Sequence, residues 1–368
     1  MDSITVRNLI LYHLFFNVID SIFFCNFFDV SGDTQYDAYV LAFQECGNKN
    51  NRDAWIKTIG NELDLGYTIL GRVDMWEMVL VIFIHSEHVR FISVVETCSE
   101  ATGISIAKKL TGKQLGNKGA VAIGFRWHDT PLCFIGSHLA ARPERVLKRN
   151  SNYQQIIEKL SLKMGQDLCV GGKSGKRAPQ LTHVFEHVFW LGDLNYRLDH
   201  MFSHAVNLVA NGDWSKLVLA DQLKREMKSG RAFAEFHEGS LNTCPSYRWN
   251  RTEHQFSDKR GQSPSYTDRI LWRSMPGVQH DIKTIVDFQT HVDIFGSDHR
   301  PVSSGFQLLL RLPYVPLPGP VSNHRYLLQY FSLPLFSTLF FVTLFVLLFL
   351  IRYLIYFLYQ VVGQDHVS

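Results

Sequence analysis

An α/β sandwich, two packed sheets with helices on their outer faces, is the fold this 368-residue sequence predicts. Three observations lead there. Short β-rich runs recur along most of the chain, and several are apolar at nearly every position, as strands covered on both faces require. Amphipathic helical stretches separate only some of these runs, so the order is not the strict alternation of a parallel sheet. No linker-like interval divides them, which favours one large domain. Hydrophobic residues make up 46% and charged residues 19% of the sequence, enough for a sizeable core.

The chain begins with an apolar stretch, Leu9 to Phe28, broken by His13, Asn17 and Asp20. Each of these is costly in a bilayer, so the stretch reads as a core segment rather than a signal anchor. Strands are expected at Ala38–Phe43, Met78–Ile84, Val89–Glu96, Ala120–Phe125, Leu132–Ser137, Val188–Leu191, Ile270–Trp272 and Val302–Leu310. Helices are expected over Glu144–Lys163 and over Ser215–Lys228, where Val218, Leu219, Leu223 and Met227 recur at helical spacing. Gly165 to Pro179 is glycine-rich and basic, as a surface loop would be. Together these elements make residues 1–311 one domain.

Residues 312–326 follow as a proline-rich tether, and 327–359 as a hydrophobic segment whose core, 333–351, is long enough to span a bilayer at about 1.5 Å per helical residue. Arg352 and the tyrosines after it mark the far interface, leaving a short tail, 360–368. The expectation is a single-pass tail anchor with the domain in the cytosol, on the endoplasmic reticulum or another endomembrane. The six cysteines are dispersed without CxxC pairing, which fits a reducing compartment. A net charge of +3 is too small to draw the chain to nucleic acid, so anion binding has to be local.

The chemistry concentrates in a few runs. In Phe189-Trp190-Leu191-Gly192-Asp193-Leu194-Asn195-Tyr196-Arg197, Asp193 and Asn195 alternate at a strand end and so project to one face. There the acid suits an attacking water and the amide a phosphoryl oxygen, although a plain strand-end Asx turn uses the same residues. Asp298 and His299 form a second element, Gly296-Ser297-Asp298-His299-Arg300-Pro301. Glu45 leaves the apolar strand Ala38–Phe43, where a carboxylate can meet a hard cation, and magnesium suits oxygen ligands beside phosphate.

With Ser263-Pro264-Ser265-Tyr266-Thr267-Asp268-Arg269-Ile270-Leu271, these runs resemble the inositol polyphosphate 5-phosphatases, within the metal-dependent phosphohydrolases of DNase-I-like fold. The resemblance covers roughly residues 36–310. It implies a four-layer α/β sandwich, a Mg2+ cofactor on Glu45 and, weakly, Asn17, and a catalytic His299 facing the scissile phosphate. It further implies catalytic roles for Asp193, Asn195, Asp298, His138 and Asp268, the last in the hydrogen-bonded shell of the histidine. Substrate phosphates would meet Asn117 and Lys118 of Gly116-Asn117-Lys118-Gly119, and Tyr247 and Arg248 of Pro245-Ser246-Tyr247-Arg248. Arg197 and Arg269 would assist them. Gln262 departs from the family, which usually has arginine or asparagine there.

Within the family, Leu181-Thr182-His183 and Asp268 to Trp272 look most similar to the SH2-containing members, though no SH2-like region is present. The implied reaction is removal of the 5-phosphate from phosphatidylinositol 3,4,5-trisphosphate or 4,5-bisphosphate at a membrane. Two other readings stay open. One is a nuclease or sphingomyelinase of the same sandwich, which leaves the Ser-Tyr-Thr-Asp-Arg run unexplained. The other is a silent, membrane-tethered phosphoinositide binder, suggested by Phe15-Phe16-Asn17-Val18 standing where family members open with Thr-Trp-Asn-Val.

Overall fold

The computed structural model describes residues 4–15, 36–63, 66–102, 117–165 and 181–312. Asn17, most of the Leu9–Phe28 stretch, the glycine-rich loop, the tether beyond 312, the 333–351 span and the tail lie outside them. Among the described residues no helix is long and apolar enough to cross a membrane.

Strands β1 (Ile4–Phe15), β2 (Ala38–Gln44), β3 (Tyr67–Met75), β4 (Met78–His85), β11 (Ile282–Thr290) and β12 (Val302–Arg311) form one six-stranded sheet, ordered β11-β12-β1-β2-β4-β3. Strands β5 (Ile92–Ala101), β6 (Gly119–Trp127), β7 (Thr130–His138), β8 (His187–Asp193), β9 (His237–Glu238) and β10 (Asp268–Ser274) form a second, ordered β5-β6-β7-β8-β10-β9. Both are mixed: β1 pairs parallel with β2 and β7 with β8, and the other pairings are antiparallel.

Side-chain alternation makes the layers. Leu9, Val40, Ile123, Phe134, Phe189 and Ile270 fill the space between the sheets. The alternate residues face outward. Leu41 and Phe43 pack with Ile56, Ile59 and Leu63 around helix α1 (Lys49–Glu62), while Ile135, Trp190 and Leu271 pack with Ile156 and Leu160 of helix α2 (Val146–Lys163). The order helix, sheet, sheet, helix is the expected four-layer sandwich. The described cysteines Cys46, Cys98, Cys133 and Cys244 carry free thiols.

Two expected elements are altered. The strand placed at Val89 begins at Ile92, because Ser86–Phe91 is a 3-10 turn carrying the chain from β4 in one sheet to β5 in the other. The helix expected over Ser215–Lys228 is two helices, Trp214–Val218 and Gln222–Lys228. Asp221 breaks it by accepting the Lys224 N–H at 2.8 Å as an N-cap, and Leu219, counted as apolar-face, is 86% exposed. Helix α1, β3, the helix Phe202–Ala210 and β11 had no expectation. The burial of α1, β3 and β11 is partial and their apolar periodicity correspondingly weak, whereas Phe202–Ala210 is a strongly apolar but short helix.

Candidate active site

The core between the sheets ends in a polar layer, produced by the same period-two pattern that builds it. Along β1 the inward residues are Leu9, Leu11 and then His13; along β2 they are Val40, Ala42 and then Gln44. Along β8 they are Phe189, Leu191 and Asp193. In β10, Asp268 lies on the same face as Ile270. Cross-strand register aligns the row: Asp268 stands opposite Asp193, Asp193 opposite His138, and His138 opposite Gly119, the residue after Lys118.

Close packing of β7 on β8 depends on Gly192, whose φ is +135°. A Cβ there would lie 2.1 Å from the Ser137 carbonyl oxygen, so no other residue fits. Beyond it Asn195 takes φ +58°, a left-handed conformation that asparagine tolerates, and this turns its amide back onto Asp193. The Asn195 backbone N–H donates to Asp193 Oδ1 at 2.9 Å, and its Nδ2 donates to Asp193 Oδ2 at 2.8 Å and to the Leu139 carbonyl at 3.2 Å. The amide is thus committed to Asp193, rather than pointed at a phosphoryl oxygen as expected. Arg197, 5% exposed, donates to Asn195 Oδ1 at 2.7 Å and to Gln262 Oε1 at 3.0 Å, so it braces Asn195.

His138 Nε2 lies 3.0 Å from Asp193 Oδ2 and also meets Lys118 Nζ. Burial, and next the Lys118 charge, push the His138 pKa down to about 4, so the ring is neutral near pH 7. Burial also lowers Lys118, against the pull of Asp193 and Glu45. For Asp193, burial alone would raise the pKa, but His138 and His299 overcome it and hold the carboxyl below its ordinary value.

Asp268 is fully buried and collects donors from several elements. Its Oδ2 accepts from Ser246 Oγ at 2.6 Å and Thr267 Oγ1 at 2.9 Å and lies 2.8 Å from His299 Nδ1; its Oδ1 lies 2.8 Å from His13 Nε2. Burial would raise this acid too, yet His299 and His13 hold it well below the ordinary carboxylate value. Asp268 in turn raises His299 above 6.5 against burial, which favours the imidazolium. Asp268, not the neighbouring Asp298, is therefore the acid on the ring. Asp298 is half-buried and pairs with Arg248 at 3.2 Å and Arg251 at 3.7 Å.

Glu45 leaves β2 with φ +53° and is half-buried. Burial raises its pKa, with Lys118 and His299 opposing. Next to it, at the inward end of β2, the fully buried carboxamide of Gln44 makes no hydrogen bond, a cost of about 1–3 kcal/mol. A desolvated carboxylate beside an orphaned amide oxygen is a donor set that suits a hard divalent cation, so the residues present fit one.

The sequence profile of the Endonuclease/Exonuclease/phosphatase family 2 matches residues 15–305. The chain belongs to that family.

Among its relatives, phosphatidylinositol 3,4,5-trisphosphate 5-phosphatase 2B of Danio rerio is 31% identical over 285 residues, 74% of this chain and 22% of the relative. Human synaptojanin-2 is 37% identical over 252 residues, 64% of this chain and 15% of that protein. The chain thus spans only 15–22% of the length of these curated relatives. A solved structure, the inositol polyphosphate 5-phosphatase domain of SPsynaptojanin with inositol (1,4)-bisphosphate and calcium, matches at TM-score 0.69 and 26% identity, covering 84% of this chain and 87% of that one. The resemblance read from the motifs holds.

In this family member the segment around Tyr247 flanks the catalytic row, wedged between the Thr267 and His299 segments. Tyr247 exchanges backbone hydrogen bonds with Ser265, Arg300 N–H reaches the Ser246 carbonyl at 2.7 Å, and the Tyr247 ring lies 4.5 Å from that of His299. The Tyr247 hydroxyl donates to Gln262 Oε1 at 2.9 Å, and the Arg197 guanidinium sits 4.4 Å from the Tyr247 ring. The unusual Gln262 therefore ties Arg197 to Tyr247. Asn117 is exposed.

Arg269 is not in the cleft. One residue beyond Asp268, it faces outward, fully buried, and donates to Glu238 at 2.6 Å and Asp221 at 3.0 Å. The strand pleat puts neighbours on opposite faces, so a substrate role for Arg269 is withdrawn. His13, Gln44, Ser246 and Thr267 are site residues that sequence reasoning missed. His13 carried a signal, a histidine at an inward position of an apolar strand, but its partner is far off in the chain.

Proposed function

We propose that this chain is a phosphoric monoester hydrolase that removes the 5-phosphate from phosphoinositides, phosphatidylinositol 3,4,5-trisphosphate or 4,5-bisphosphate, with Mg2+. The observation that carries the reading is the Asp268–Asp193–His138 row across β10, β8 and β7 with His299 held on Asp268. The names of the relatives support the substrate class.

Asp193, ionised and fixed by Asn195 and His138, orients a water and takes one of its protons as the oxygen bonds to phosphorus. His299, charged by Asp268 through Nδ1, donates from Nε2 to the phosphoryl oxygens as charge gathers there. The bond from phosphorus to the inositol oxygen breaks. That oxygen gains a proton, so one water yields an alcohol and inorganic phosphate. Tyr247, Arg248 and Lys118 bind the remaining phosphates. Glu45 and Gln44, with Asn17 as a further candidate, would hold the ion, which when bound supplies Lewis-acid charge to the phosphoryl group.

Residues 333–351 anchor the domain to an endomembrane in this reading, which raises the effective concentration of a lipid substrate. Removing 327–368 should release the protein from the membrane fraction while leaving turnover of short-chain lipid.

The test is phosphate release from short-chain phosphoinositides. Magnesium-dependent release is expected, lost with EDTA and reduced about 10²–10⁴-fold in Asp193→Ala. Tight lipid binding without turnover would instead identify a silent binding module.

A further inference from the structure

Asp37 precedes β2 and Glu45 follows it, which puts them about 26 Å apart at ~3.3 Å per strand residue. At that far end of the sheet β4 stops on His85, and the 3-10 turn Ser86–Phe91 crosses to the second sheet. One donor atom each from His85, Glu87 and His88 lie within 4.8 Å of one another. Glu87 Oε1 is 3.5 Å from His85 Nδ1 and 3.3 Å from His88 Nε2, and Asp37 Oδ1 is 2.7 Å from His88 Nε2.

Those spacings have a chemical meaning. Donors at roughly 2.0–2.2 Å from a tetrahedral ion stand about 3.3–3.6 Å from one another. The two Glu87 distances already match; Asp37 stands outside that trio, so binding has to turn its carboxylate from His88 toward the ion. His85 Nδ1 is a buried atom with no hydrogen bond, although its ring is partly exposed. Paired imidazoles and carboxylates neutralise a divalent ion, and mixed nitrogen and oxygen donors select zinc-class metals over magnesium or calcium.

We propose that Asp37, His85, Glu87 and His88 bind a zinc-class divalent ion as a staple between the two sheets, separate from the catalytic cleft. Asp37 leads into β2, His85 ends β4, and Glu87 and His88 lie on the crossover turn. Asp37 Oδ2 accepts the Asn8 N–H of β1 at 2.6 Å, and the His88 ring packs 5.5 Å from Trp127 of β6. Bound metal would therefore tie β1, β2, β4 and the crossover together.

The experiment uses the full chain, stripped of metal and titrated with zinc against a chromophoric chelator, then with cobalt(II). Because His88 packs on Trp127, the variants are His85→Ala and Glu87→Gln, whose side chains are 28% and 62% exposed. Expected are one zinc equivalent retained in Glu45→Ala, affinity lowered at least tenfold in His85→Ala and Glu87→Gln, and tetrahedral cobalt absorption lost with them. Zinc should raise the melting temperature of the parent chain but not of His85→Ala, and magnesium-dependent turnover should be unchanged in His85→Ala. Unaltered zinc affinity in both variants, or only octahedral cobalt absorption, overturns the site.

Discussion

Asp268 and Arg269 are consecutive, fully buried and charged, yet they lie in clusters of opposite character. Outward, Arg269 is closed off: its guanidinium is shared between Asp221, Glu238 and the Tyr266 carbonyl. Inward, Asp268 holds His13 and His299, and its row leads across Asp193 to a cleft edged by the orphaned Gln44 amide and the half-buried Glu45. A buried charge whose partners are complete serves the fold. One whose network ends at a desolvated, incompletely partnered edge is equipped to act on something else.

That contrast can be broken by substitution on either side. Arg269→Met leaves Asp221 as a buried acid without its cation and Glu238 with Lys224 alone, and stability should fall by about 3–5 kcal/mol in urea denaturation. Turnover per folded molecule should stay within a few-fold; a large loss of turnover at unchanged stability would put Arg269 in the chemistry after all.

On the inward side, Asp268→Asn removes the charge that keeps His299 protonated. Turnover should drop about 10²-fold or more, and the alkaline limb of the pH–rate profile should move to lower pH. His299 has a folded pKa above its ordinary 6.5, so the stability it contributes is complete below about 6.5 and is lost as pH rises through the raised value. An alkaline limb that ignores the substitution would remove Asp268 from the control of His299.

The smallest effect sharpens the comparison within the network itself. His13→Leu takes one donor from Asp268 while leaving His299, Ser246 and Thr267 in place. With less of its charge neutralised, Asp268 should make His299 more basic, moving the alkaline limb upward, with turnover down about tenfold and about 1–3 kcal/mol lost in stability. His13→Asn, which can still donate to Asp268, should recover part of both.

Local patterns were legible wherever one strand contains the whole signal. The apolar runs of β2, β4, β6, β7, β8 and β12 could be read directly, because strands covered on both faces are apolar throughout. Alternation also predicted that Asp193 and Asn195 belong to one functional unit. It did not say that the Asn195 amide would fold back on Asp193, since a positive φ at Asn195 and the Leu139 carbonyl decide that.

The sequence by itself determined the two-sheet sandwich, the family, and the residue types that meet at the strand ends, because periodicity and contiguous motifs are properties of short stretches. Only the tertiary structure decided that His13 shares the acid of His299 across 255 residues of chain, and that Arg269 turns its back on the catalytic row. Those outcomes depend on register between strands far apart in sequence. A one-residue change of register reverses which face a side chain occupies, and no local pattern records it.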